Sequence, residues 1–150
     1  MALRCAYLAL HRQSDAKFAE HDVTADQFVL LATLSKGQAL TQRDLASRMP
    51  SDPSTVRAML VLLEERGLVR RDAHPTDGRA RTAALTAAGQ RKFQDLWAAG
   101  ESIRAQMVSS LNSEESNTLV RLLRQVAESL STEDSVVAAK SSSRSNEGDL

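Results

Sequence analysis

The apolar positions of this chain recur every three or four residues along most of its length, which is the period of an amphipathic α-helix. The first apolar stripe predicts a helix over residues 3–20, and the next predicts one over 25–35. The sequence Thr-Ala-Asp-Gln beginning at Thr24 has the form of a capping box, which starts the second helix, and Lys36-Gly37 ends it. The chain therefore begins with two helices that each bury one face.

Two shorter helices follow, separated by only three residues. The sequence Thr-Gln-Arg-Asp beginning at Thr41 is a second capping sequence, and it predicts a helix that Pro50 stops. Asp52 then places a capping carboxylate directly before Pro53, whose missing N–H costs nothing at the first helical position. This arrangement predicts a fourth helix over 53–66, and two short helices joined by so short a turn form the helix-turn-helix pattern.

A β-hairpin is predicted directly after the fourth helix. Residues 68–72 and 79–85 are the two strands, and the turn between them lies at residues 75–78. Asp77 and Gly78 supply the positive φ that a tight reversal needs. A hairpin this short is not stable alone, so it must pack on the helices.

The C-terminal part of the chain returns to the helical period. A long helix is predicted over residues 86–110, and another begins at Ser113 and carries a narrow, coiled-coil-like apolar stripe. The stripe consists of Leu119, Leu122, Leu123, Val126 and Leu130. From residue 131 onward Ser, Glu, Asp, Asn and Gly dominate, and residues 131–150 are predicted to form a disordered tail. The predicted fold class is mainly α with a small β-hairpin.

Composition adds a charge asymmetry to this picture. The 150 residues suit one domain, and the net charge is zero. Residues 36–92, however, hold eleven Lys and Arg against six Asp and Glu, whereas the remainder holds eight against thirteen. A basic middle between acidic ends is expected of a chain whose central part faces a polyanion.

Several classes of function are disfavoured. The single cysteine excludes an intramolecular disulfide and suits a reducing cytoplasm, and the longest apolar run, residues 58–63, is far shorter than the roughly 18 residues that span a bilayer. The three histidines have no metal-ligand spacing, no Gly-rich phosphate loop follows a strand, and no nucleophile motif is present. We therefore expect no enzyme, no metal site, no cofactor and no membrane segment, and a cytoplasmic location.

Five short blocks, taken in order, carry a resemblance to a known family. They are Leu45-Ala-Ser-Arg, Asp52-Pro-Ser-Thr-Val-Arg, Leu63-Glu-Glu-Arg-Gly-Leu-Val-Arg-Arg, Pro75-Thr-Asp-Gly-Arg and Leu85-Thr-Ala-Ala-Gly. In these blocks the chain resembles the MarR (multiple antibiotic resistance regulator) family of bacterial transcription factors. The motifs span residues 24–90, and the order of helices is similar over residues 3–130.

The resemblance implies a winged helix-turn-helix flanked by dimerisation helices, and a homodimer that binds pseudo-palindromic double-stranded DNA. We expect a repressor that a small aromatic or phenolic ligand releases from its operator. The implied organisation is a helical dimerisation domain of residues 1–20 and 86–130, a winged helix-turn-helix DNA-binding domain of residues 21–85, and the tail of residues 131–150.

Within that frame, the exposed first turns of the fourth helix are the part that enters the major groove. Arginines at the wing would meet the adjacent minor groove, whose negative potential attracts them, and Asp77 with Gly78 would support the wing. The start of the third helix would contact phosphates. The predicted DNA-binding residues are Gln42, Arg43, Ser54, Thr55, Arg57, Ala58, Arg79 and Arg81.

Three further hypotheses stay open. Tyr7, His11 and Trp97 are candidates for an effector pocket between the dimerisation helices and the winged helix. Cys5 is a candidate redox-sensing thiol, although it lies two residues from Tyr7, so the two side chains point to different helix faces. The third hypothesis is a winged helix that acts as a protein-interaction module without specific DNA binding.

Overall fold

A computed structural model describes residues 1–49, 51–77 and 80–144 of the chain. Residues 1–104 form one compact unit, and the segment that begins at residue 105 forms a second. The elements in chain order are α1 (Ala2–Ala19), α2 (Ala25–Leu34), β1 (Leu40–Thr41), α3 (Gln42–Arg48), α4 (Pro53–Glu65), β2 (Val69–Ala73), β3 (Arg81–Leu85), α5 (Ala87–Ala99), α6 (Glu101–Val108) and α7 (Ser113–Arg144). The fold is mainly helical with one small antiparallel sheet, as predicted.

The helix starts that were predicted from capping residues are confirmed. In α2 the Gln27 amide nitrogen donates to the Thr24 hydroxyl, and the Gln27 side chain accepts from the Thr24 amide nitrogen, which completes the capping box. Thr41 and Asp44 form the same reciprocal pair at the start of α3. These side chains satisfy backbone donors that the first helical turn leaves without partners.

The sheet has three strands in the order β1-β3-β2. Strands β2 and β3 form the predicted hairpin, with Val69 opposite Leu85 and Ala73 opposite Arg81. Sequence analysis missed β1, because two residues are too few for an alternating pattern. Pairing of β1 with β3 ties the start of α3 to the hairpin.

The core lies where the helices of the first unit pack on one face of the sheet. It is almost entirely apolar, and the one buried polar side chain among the described residues is Gln27, which the α2 capping box uses. The largest fully buried side chains are Leu30, Leu31, Leu34, Leu45, Val56, Leu60, Leu63, Val69 and Leu96. Because Val56, Leu60 and Leu63 anchor one side of α4 in this core, the opposite side of the helix is held at the protein surface.

The junction between α4 and the hairpin is set by two glycines. Gly67 has a φ of +69°, and the amide nitrogens of Gly67 and Leu68 donate to the carbonyls of Glu64 and Leu63 at 2.8 and 2.9 Å, which forms a Schellman motif. A Cβ on Gly89 would lie 1.9 Å from the Leu68 carbonyl oxygen, so only glycine fits where α5 crosses the start of β2. The hairpin thus leaves α4 at a defined angle.

Two predicted elements differ from the structure. The helix predicted over residues 86–110 is divided at Gly100 into α5 and α6. The backbone of α7 is helical through Arg144, where the sequence predicts a tail without regular structure from residue 131. A helix satisfies its backbone hydrogen bonds internally, so a polar composition argues against burial rather than against helix. Residues 145–150 of that predicted tail lie outside the described residues.

Candidate nucleic-acid interface

A groove of about 580 Å³ opens between the start of α3, one side of α4 and the hairpin. Its walls carry four arginines from four different elements, together with Gln42 of α3 and Asp77 of the hairpin turn. The arginines are Arg43 of α3, Arg57 of α4, Arg71 of β2 and Arg81 of β3. Packing of α3 and α4 against the sheet therefore gathers cations that are far apart in sequence.

One of these arginines is neutralised by the chain itself. Nε of Arg71 donates to Oε2 of Glu64 at 2.7 Å, and its guanidinium forms a salt bridge with the same carboxylate. That hydrogen bond lowers the pKa of Glu64, so the carboxylate stays ionised at neutral pH. The sequence does not predict this pair, because nothing in the spacing of Glu64 and Arg71 indicates that the end of α4 and strand β2 meet.

The other three groove arginines keep their charge available. The guanidinium groups of Arg43, Arg57 and Arg81 form no hydrogen bond or ion pair with another described residue, and each of these residues is exposed. The charges of Asp44 and Glu64 lie near enough to interact with Arg43 and Arg81, respectively. Guanidinium groups of this kind bind phosphates and the acceptor edge of guanine. The groove therefore presents three guanidinium groups that no described carboxylate binds directly, at the place where the sequence predicts contact with DNA.

The first turn of α4 is held by Asp52. Its Oδ1 accepts hydrogen bonds from the amide nitrogens of Ser54 and Thr55 at 2.9 and 3.0 Å, and its carboxylate also accepts from both hydroxyl groups. The hydroxyl hydrogen bonds from Ser54 and then Thr55 hold the pKa of Asp52 well below its ordinary value. Ser54, Thr55, Arg57 and Ala58 are all exposed, which places these four predicted residues on one accessible side of the helix.

Gln42, a predicted phosphate contact, lines the groove and also joins two helices. Its side-chain nitrogen donates to the Pro53 carbonyl oxygen at 3.3 Å, so the side chain joins the start of α3 to the start of α4. Arg43, the next residue, is exposed and faces the groove. The structure therefore brings the predicted pair together in the groove lining, and their contacts with phosphates stay a prediction.

The tip of the wing is only partly described. Arg79 and Gly78 lie outside the described residues, and their predicted roles stay predictions. Before the tip, Nδ1 of His74 accepts from the amide nitrogens of Thr76 at 3.3 Å and Asp77 at 3.2 Å, so His74 holds the turn. No role was predicted for His74, although a side-chain acceptor ahead of a Pro-Thr-Asp turn is a recognisable signal.

The three candidate effector residues lie in two different places. The rings of Tyr7 and His11 are 5.7 Å apart on α1, and His11 bridges the carboxylates of Asp15 at 3.1 Å and Asp26 at 3.4 Å. Trp97 instead packs beside Phe93 and lies 3.8 Å from the Arg104 guanidinium carbon. Within the described ranges, no ring contact joins Trp97 to Tyr7 or His11.

Two other expectations bear on the site. Cys5 is exposed on α1. The part of the chain that the structure describes contains no cluster of three or more His, Cys, Asp or Glu side chains that could hold a metal ion. None of the helices described is both long and apolar enough to cross a membrane.

Comparisons with known proteins agree with this arrangement. The model of the MarR family matches residues 23–80. The transcriptional regulator HosA of Escherichia coli O111:H- is 30% identical over 105 residues, which cover 70% of this chain and 78% of HosA.

Two solved structures are similar in fold. BpsR of Bordetella bronchiseptica, whose DNA binding is regulated by 6-hydroxynicotinic acid, superposes with a TM-score of 0.75 at 28% identity and covers 84% of this chain and 90% of its own. MepR of Staphylococcus aureus, solved as a complex with DNA, has a TM-score of 0.73 at 26% identity and covers 86% and 95%. The family and these relatives are transcriptional regulators, not enzymes. The chain belongs to the MarR family.

Proposed function

We propose that this transcriptional regulator is a homodimeric repressor that binds a pseudo-palindromic DNA operator. The observation that carries the proposal is the groove in which the exposed residues Arg43, Arg57 and Arg81 converge, with no described carboxylate in a salt bridge to any of the three. Such a convergence is costly for folding because like charges repel, and a polyanion offsets that cost. The similarity to MepR, which was solved with DNA, supports the choice of DNA as that polyanion.

The three arginines have different expected partners. Arg57 lies on the exposed side of α4, so it is the one that enters the major groove and can donate two hydrogen bonds to guanine. Arg43 at the start of α3 and Arg81 at the start of β3 flank it and suit phosphates. The wing tip, including the predicted contact of Arg79, would extend the same surface toward the minor groove.

The exposed apolar surface supports a dimer. Tyr7 and Leu8 of α1 and the stripe along α7 are exposed although they are large and apolar. Exposed apolar side chains grouped along one helix mark a surface that another protein covers, and each of these two helices carries such a group. A second copy of the chain is the partner that the operator symmetry requires, because a two-fold dimer places two recognition helices in major grooves about 34 Å apart.

Repression and its release follow from that geometry. A dimer bound over a promoter excludes other proteins from the same DNA. Because both helices must fit the duplex together, a ligand that changes their separation weakens binding. The similarity to BpsR, which responds to 6-hydroxynicotinic acid, supports a small aromatic acid as the effector, with Tyr7, His11 and Trp97 as candidate contacts.

The first experiment is selection of an operator from random double-stranded DNA with the full-length protein. Fluorescence anisotropy across a range of salt concentrations then measures affinity, and sedimentation equilibrium measures mass. We expect a two-fold symmetric consensus, a dimer, and affinity that falls steeply with salt. Absence of any DNA binding at low salt would instead support the protein-interaction module, and a monomer at micromolar concentration would contradict the dimer.

The effector is tested separately by adding 6-hydroxynicotinic acid to the protein–operator complex. Trp97 is the only tryptophan, so its fluorescence reports directly on one candidate pocket residue. We expect the acid to lower operator affinity and to quench Trp97. Release of DNA with unchanged fluorescence would place the effector away from Trp97, and no release would contradict this class of ligand.

A further inference from the structure

We infer that Asp52 sets the hydrogen-bonding polarity of the recognition helix α4. It takes up the hydroxyl protons of Ser54 and Thr55, so these two side chains can only accept hydrogen bonds from DNA. They therefore recognise base amino groups rather than phosphates or guanine. This inference rests on the proposed function and specifies which bases the operator places opposite the two hydroxyls.

The geometry leaves no proton of these hydroxyls unassigned. The Thr55 hydroxyl donates to Oδ2 of Asp52 at 2.6 Å, and the Ser54 hydroxyl donates to Oδ1. A serine or threonine hydroxyl has one proton to donate and two lone pairs. Once the proton is directed at Asp52, the exposed side of each oxygen carries lone pairs alone.

The carboxylate keeps those protons for two reasons. A hydrogen bond from a hydroxyl to an ionised carboxylate is charge-assisted and is about twice as strong as a neutral one. The lowered pKa of Asp52 means that the carboxylate is ionised at physiological pH. Asp52 also accepts at Oδ1 from the amide nitrogens of Ser54 and Thr55, so its carboxylate is held against the first turn of α4 by four hydrogen bonds.

The chemistry of DNA then decides the partner. Phosphate oxygens and the major-groove edge of guanine offer only acceptors, whereas adenine N6 and cytosine N4 carry amino donors. The hydroxyl oxygens of Ser54 and Thr55, which act only as acceptors, can therefore pair with these amino groups and not with phosphate or guanine. The negative charge of Asp52 disfavours phosphate at the same place, so the start of α4 is suited to base edges and not to the backbone.

Arg57 supplies the complementary property on the same exposed side of α4. Its guanidinium can only donate, and it lies with the exposed Arg43 and Arg81 in the groove that supports the proposed DNA surface independently of the helix cap. The helix thus presents acceptors at its first turn and a donor after them. The operator is expected to place adenine or cytosine opposite Ser54 and Thr55, and guanine or phosphate opposite Arg57.

The test is a double-mutant cycle on the selected operator with the full-length protein. Each adenine of a half-site is replaced by purine, which lacks the N6 amino group. Each cytosine is replaced by pyrimidin-2-one, which lacks the N4 amino group, and each guanine by 7-deazaguanine, which lacks the N7 acceptor. Affinities are measured for the wild type, Ser54→Ala and Thr55→Val. We expect loss of one amino group to weaken wild-type binding about two- to tenfold and to leave the matching hydroxyl variant unaffected.

Asp52→Asn separates positioning from capping. Asparagine caps a helix as well as aspartate, but its NH₂ group cannot accept the Thr55 proton. We expect circular dichroism and thermal unfolding to show a folded protein in which the coupling of Thr55 to the amino group is lost. One outcome is that the wild-type protein binds its operator while the two hydroxyls couple to the 7-deazaguanine substitution or to no base analogue. In that case the assignment of Ser54 and Thr55 as acceptors is wrong, and the proposed function stands. If no DNA binds at all, both are wrong.

Discussion

Helices α4 and α7 both carry leucines at helical spacing, but their leucines have opposite environments. In α4, Leu60 and Leu63 are at most 1% exposed, whereas in α7 Leu119 and Leu123 are 45% and 42% exposed. The difference shows that periodicity specifies a helix and its apolar face but not what covers that face. For α4 the cover is the core of the first unit, and for α7 we propose a second copy of the chain.

The comparison is tested most strongly by truncating one leucine from each helix. Leu63→Ala removes a fully buried side chain and should lower the free energy of unfolding by about 2–5 kcal/mol at every protein concentration. Leu123→Ala should act through association, so its cost should grow with protein concentration as the wild type dimerises. Urea unfolding at two concentrations measures both. Equal, concentration-independent losses would contradict the proposed dimer face.

The fold was predictable wherever a local signal decides the structure. Thr24 with Gln27 and Asp52 with Pro53 mark helix starts because the capping groups are within three residues of one another. Strand β1 was not predictable, since it exists only through pairing with β3. The division of the long helix at Gly100 was missed because a helical pattern tolerates an isolated glycine, so the glycine alone does not predict an interruption.

In the candidate site, too, only the features that a local sequence signal decides were predictable. Exposure of Arg57 was predictable because its neighbours Val56 and Leu60 have the spacing of a buried face. The neutralisation of Arg71 by Glu64 was not, because it depends on how the hairpin packs against the end of α4. Nor was the hydrogen bond from Gln42 to Pro53, which needs the turn between α3 and α4. Local chemistry is visible in a sequence, whereas contacts between elements need the fold.

The second comparison is between an arginine of α4 and one of α7. Arg57→Ala should lower operator affinity by about 1–3 kcal/mol and relax the base preference opposite it, because it removes a groove donor. The slope of log affinity against log salt should fall by about 0.9 if the side chain also neutralises a phosphate. Arg124→Ala, on an exposed arginine that does not line the groove, is the matched control and should leave anisotropy titrations unchanged. Equal effects of the two variants would contradict the groove as the DNA surface.

A smaller effect is expected on the stability of the fold at acidic pH, through the carboxylate of Asp52. The pKa of Asp52 is depressed in the fold, so its contribution is present above the unfolded value of about 3.9 and is lost as pH falls below it. Asp52→Asn removes this titration, so its unfolding midpoint should fall less than that of the wild type between pH 7 and pH 3. Asp95→Asn, at a carboxylate that caps no described helix, should follow the wild type. Parallel profiles for all three would contradict the role of the cap.

The smallest effect is expected at Cys5. The thiol is exposed on α1, and among the described residues no cation forms an ion pair or hydrogen bond with it that would favour the reactive thiolate. Tyr7 is two residues away and therefore points to a different helix face. Operator affinity of the wild type and of Cys5→Ser should thus agree before and after treatment with an organic peroxide. A peroxide-dependent loss of DNA binding in the wild type that Cys5→Ser abolishes would establish the thiol switch instead, and would make α1 a sensor as well as a dimer element.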